Sequence, residues 1–98
     1  MQEYLQEWEK LVNELSEKEL AYLEWKEIYR IKEEEILNNT DFKALYGANN
    51  DKVRRNHVKN ALMEYDRTIQ DLELSIDWIK RRISFIKGLV DYTTNGGI

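Results

Sequence analysis

Val58-Lys-Asn-Ala-Leu-Met-Glu-Tyr-Asp-Arg-Thr-Ile-Gln-Asp-Leu-Glu-Leu-Ser-Ile-Asp-Trp-Ile-Lys-Arg-Arg-Ile-Ser-Phe-Ile-Lys-Gly-Leu-Val90 decides the fold. Within it Val58, Leu62, Tyr65, Ile69, Leu72, Ile76, Ile79, Ile83, Ile86 and Val90 step 4-3-4-3 without a break, and all ten are apolar or aromatic. An apolar heptad series of that length is the sequence form of a coiled-coil seam. A helix that carries it is roughly 50 Å long at about 1.5 Å per residue, and it needs a partner of similar length. The seam fixes an architecture and a class of role, protein–protein interaction, and it carries no chemistry.

The partner lies in the first half of the same chain. Tyr4, Trp8, Leu11, Leu15, Lys18, Tyr22, Trp25, Tyr29, Lys32 and Ile36 repeat the 4-3-4-3 spacing over an equal span. Lysine at two seam positions is tolerated by snorkelling and helps to set register. The chain has no proline, and of its four glycines only Gly88 falls inside a helical pattern. Between the seams, Asn38-Asn39 ends the first helix. Thr40 caps a short helix over 41–46, and Gly47 stops it. Asn49-Asn50 then cap the second long helix, with Asp51 in its first turn.

The sequence therefore predicts an all-α fold: an antiparallel coiled-coil hairpin of two long helices, about 3–37 and 51–90, joined by a short helix over 41–46. It makes one domain over 1–90 with a flexible tail over 91–98. Pairing Tyr4 with Val90 and Ile36 with Val58 aligns every layer. In that register Glu33 falls near Lys59, Lys26 near Asp66 and Glu14 near Arg82, whereas Glu19 meets Glu73 in repulsion.

Each helix keeps apolar residues that the seam does not use. These are Leu20, Leu23 and Ile31 on the first, and Leu74, Trp78 and Phe85 on the second, with Leu89 beside them. A lone hairpin leaves them wet, and exposed apolar surface of this kind marks an interface. A homodimer forming a helical bundle is the simplest closure, and tryptophan and phenylalanine are the usual anchors of a protein target site.

Charge gives a second signal. The net charge is -4. Residues 1–38 carry eleven acids and five bases, whereas residues 51–87 carry nine bases and six acids. Lys52, Arg54, Arg55 and Lys59 crowd the first turns of the second long helix, against its dipole. They would suit a phosphate backbone, or they answer Glu33, Glu34 and Glu35 at the end of the first helix. The second reading is favoured, because a hairpin brings those two ends together and the sequence pI is near 5.1. The acidic face of the first helix reads as solvated coiled-coil exterior.

Nothing else carries chemistry. There is no cysteine, and His57 is the sole histidine, so no thiolate or Glu-x-x-His metal set exists. Phosphate loops, nucleophile elbows and membrane-length apolar runs are also missing from the sequence. The expectation is a non-enzymatic, cytoplasmic protein without cofactor, small-molecule substrate or membrane contact. Its partners are itself and a protein target, with nucleic-acid binding as the alternative and a purely structural coiled-coil subunit as a third class.

Thr40-Asp-Phe-Lys-Ala-Leu-Tyr-Gly-Ala-Asn-Asn-Asp-Lys-Val-Arg-Arg-Asn-His-Val58, followed by Leu74-Ser-Ile-Asp-Trp-Ile-Lys-Arg-Arg-Ile-Ser-Phe-Ile-Lys87, resembles small helical proteins encoded in the early regions of phages of Gram-positive bacteria. The resemblance covers most of the chain and implies a setting: a protein that binds, and often inhibits, host or phage machinery for nucleic-acid processing or defence. It transfers no functional residues.

Overall fold

The computed structural model describes residues 2–39 and 51–93. Among them the chain is helical throughout, with three helices and no strand: α1 (Gln2–Leu37), α2 (Asp51–Ala61) and α3 (Met63–Asp91). The short helix expected over 41–46, its caps at Thr40, Gly47, Asn49 and Asn50, and residues 94–98 of the expected tail lie outside the described residues.

Helix α1 runs its full length because no proline or glycine interrupts it. Its end is tightened: the Asn38 N–H still donates to the Glu34 carbonyl at 2.9 Å, but the Asn39 N–H reaches only to Ile36, at 3.2 Å. The last turn carries no base, against the helix dipole. Bases one turn back offset this. Arg30 bonds Glu27 and also Glu34, the latter at 2.7 Å, and Lys32 bonds Glu35 at 3.3 Å. Lys32, expected in the seam, is exposed.

Where one long second helix was expected, α2 and α3 are separated at Leu62. The hydrogen-bond ladder nevertheless crosses the junction. The Leu62 N–H donates to Val58 at 3.0 Å, and the Asp66 N–H to Leu62 at 3.0 Å. Phase is kept, so Val58 and Leu62 are buried together. Leu62 is only 1% exposed, and its burial holds the junction against the core.

The chain forms two compact units, Met1–Tyr22 with Asp71–Ile98, and Leu23–Gln70. In each, α1 packs against the second long helical segment. The first unit has a core of Leu11, Ile79 and Ile86, flanked by Leu15, Ile83 and Val90. The second has Val58 and Leu62 at its centre, packed by Tyr29, Ile36, Leu37 and Tyr65. Trp25 stands against Tyr65 with ring centroids 5.9 Å apart and planes tilted by 55°, a favourable aromatic geometry.

Every buried side chain among the described residues is a seam position: Leu11, Val58, Leu62, Ile69, Ile76, Ile79 and Ile86. The other four seam residues of the second half, Tyr65, Leu72, Ile83 and Val90, are half-buried. The first seam is looser. Tyr4 and Trp8 remain 37% and 39% exposed, since wide rings at a helix start extend past the ridge they cover.

Candidate protein-interaction surface

The seam fixes which way everything else points. On α3 it draws Ile76, Ile79, Ile83 and Ile86 inward, so residues half a turn away face out. Leu74, Trp78 and Phe85 stand there, 69%, 61% and 53% exposed, and Leu89 beside them is half-buried. Leu20, Leu23 and Ile31 of α1 are likewise exposed. The structure thus leaves the apolar residues singled out from the sequence on the surface of the single chain, except for Leu89.

Further exposed apolar residues escaped the sequence reading. Tyr92 follows Phe85 by one heptad, and Leu5 and Val12 are one heptad apart on α1; all three are exposed. The sequence places Tyr92 in the expected tail over 91–98. The helix carries through Asp91, and the Thr93 hydroxyl donates to the Leu89 carbonyl at 2.8 Å. The heptad spacing from Trp78 and Phe85 was the available signal.

Arg82 ties α3 to α1 within the first unit. Its guanidinium makes two parallel hydrogen bonds to the Glu7 carboxylate, at 2.8 and 3.1 Å, a bidentate geometry specific to arginine. The same guanidinium lies 5.2 Å from the Phe85 ring centre, within cation–π range. The bond to Arg82 holds the Glu7 carboxyl below its usual range, and Glu7 raises Arg82 further. The sequence pointed to Glu14 for this role. Glu7 and Glu14 share a helix face and flank the level of Leu11, about 10.5 Å apart, so a long arginine can reach either. Glu73, expected to face Glu19 in repulsion, accepts a hydrogen bond from the Tyr22 hydroxyl at 3.0 Å.

The basic cluster of α2 sits in the second unit. Arg54, Arg55 and Lys59 line a cleft of about 550 Å³ together with Tyr29, Leu37, Val58 and two acids, Glu33 and Asp66. Lys52 is exposed and is not among the lining residues. Of the three glutamates expected to answer these bases, only Glu33 lines the cleft. Glu34 and Glu35 are held by Arg30 and Lys32. Burial raises the pKa of Tyr29, and the negative Glu33 and Asp66 raise it further.

Among the described residues no group of three histidine, cysteine or acidic side chains is placed to hold a metal ion. No described helix is long and apolar enough to cross a membrane. The surface is that of an all-α protein with apolar side chains outside its core. No family model, curated protein or solved structure matches the chain.

Proposed function

We propose that this chain is a non-enzymatic protein-interaction module, built as an antiparallel helical hairpin, that assembles with itself and docks a protein target. The carrying observation is the outward face of α3. Leu74, Trp78 and Phe85 stay more than half exposed although the seam beside them is closed. Exposed aromatic residues on a rigid helix are suited to anchor an interface. The antiparallel arrangement is supported within the first unit by the order of its contacts: Glu7 meets Arg82, and Tyr22, later on α1, meets Glu73, earlier on α3.

The resemblance to early phage proteins supplies the setting. There the module acts in the cytoplasm as an adaptor or inhibitor of a host or phage protein for nucleic-acid processing or defence. Direct nucleic-acid binding ranks second. The cleft that gathers Arg54, Arg55 and Lys59 also gathers Glu33 and Asp66, which repel a phosphate backbone.

Trp78→Glu tests the self-association. We expect the molar mass measured by light scattering to fall from oligomer to monomer while the circular dichroism stays helical. An unchanged oligomer would remove Trp78 from the self-interface.

A further inference from the structure

The outer face of α3 carries a second 4-3-4-3 series that the core does not use: Leu74, Trp78, Arg81, Phe85, Gly88 and Tyr92. All six are exposed. They form a narrow stripe nearly parallel to the helix axis, since a heptad step drifts by only about 20°.

The order of sizes along the stripe is the informative part. Laid against itself in reverse, it sets Leu74 opposite Tyr92, Trp78 opposite Gly88 and Arg81 opposite Phe85, and then the same three pairs again. The widest side chain meets the position without one. A cation meets an aromatic ring. Phe85 already holds one guanidinium, that of Arg82, on its ring within the chain, and a ring has two faces.

Gly88 adds an independent observation. Glycine inside a helix weakens it relative to alanine. Beyond its own helix backbone and chain neighbours, no atom of the described residues lies within 4 Å of the place its Cβ would take, so packing among them does not require glycine there. The open space leaves room for a wide side chain arriving from outside.

We infer that a second copy of this chain docks on this stripe, α3 against α3 and antiparallel, about a twofold axis between Arg81 and Phe85. Such a contact is isologous and closes as a dimer. Aromatic side chains bring about 150–250 Å² each. Three of them and a leucine, more than half exposed on each copy, supply on the order of 1,000 Å² over the two copies when covered, the lower limit for a specific interface. The second copy's Trp78 covers Gly88, and its Arg81 lies on the free face of Phe85. The face and direction rest on the self-association proposed above; Leu20, Leu23 and Ile31 on α1 stay available to a target.

The chain has no cysteine, so introduced thiols report the register directly. Leu74→Cys and Tyr92→Cys chains are prepared separately and then mixed under mild oxidation. A disulfide needs Cα atoms within about 7 Å. In the antiparallel stripe the two positions are opposite each other, whereas like positions are about 27 Å apart along the axis. We expect a linked dimer from the mixture and none from either chain alone. In parallel, Gly88→Leu should weaken dimerisation at least tenfold with helix content unchanged. Linking within each chain alone, or no linking from a mixture that light scattering shows to be dimeric, would overturn the register and leave self-association standing. A monomeric wild-type chain would overturn both. An undiminished Gly88→Leu dimer would overturn the Trp78–Gly88 contact and with it the stripe.

Discussion

Arg82 shows how far a single residue can be traced. It binds Glu7 through two hydrogen bonds and rests by the Phe85 ring. We expect the Glu7 carboxyl to titrate below the ordinary glutamate range by NMR, and Arg82→Met to return it to that range. The sign follows from the pair: a lowered folded-state pKa contributes stability above the usual carboxylate range, which is lost as pH falls through the lowered value. Glu7→Gln should therefore flatten the acid limb of the stability profile. Tyr29 gives the opposite sign. Its raised pKa, from burial and then from Glu33 and Asp66, leaves stability intact below the ordinary phenol range and lost as pH rises beyond it. Asp66→Asn should lower the Tyr29 pKa in an ultraviolet titration. An unmoved titration would separate Asp66 from Tyr29. Partner choice at this scale was poorly legible in sequence. Spacing placed Arg82 on the right face but could not choose Glu7 over Glu14, because a flexible side chain spans both.

At the scale of elements, the seam of the second half was legible, whereas that of the first half was legible only in part, since Tyr4, Trp8 and Lys32 are exposed. Val58 to Val90 reads as one 4-3-4-3 series, and each of its ten positions is buried or half-buried, since the backbone repeat alone sets which face turns inward. The interruption at Leu62 was not legible; nothing in Lys59-Asn-Ala-Leu-Met63 breaks a helix, and the ladder is only locally perturbed there. The outward stripe was legible as far as Phe85. Tyr92 was hidden by Thr93-Thr94-Asn95-Gly96-Gly97, whose composition reads as tail. The core and the stripe should respond differently to truncation. Ile86 is 0% exposed, and Ile86→Ala should cost about 2–5 kcal/mol in denaturant unfolding. Leu20→Ala on the exposed face should change stability by no more than about 0.5 kcal/mol. Equal losses would mean that Leu20 is covered in the folded protein. The basic cluster belongs to this scale as well. With Glu34 held by Arg30, the charge partner to test for Arg55 is Glu33. Arg55→Glu should cost no more than about 1 kcal/mol, and Glu33→Arg added to it should recover part. Loss of salt-sensitive DNA retention without loss of melting temperature would instead promote the nucleic-acid reading.

At the scale of the whole molecule, the distribution of apolar residues carries the functional proposal. The seam does not use all of them. Among those left over, Leu20, Leu23 and Ile31 on α1 and Leu74, Trp78, Phe85 and Tyr92 on α3 stay at the surface, where a chain that works alone has little use for them. Composition and patterning carried this much without a structure, because apolar residues left over from one seam must be covered by something else. They could not say what covers them, which depends on surfaces outside the chain. The most direct test is the molar mass of the wild-type chain by light scattering across a concentration series. We expect twice the 11.8 kDa of the single chain at high concentration, falling toward 11.8 kDa on dilution. A mass of 11.8 kDa at every concentration would contradict self-association through the outer face of α3.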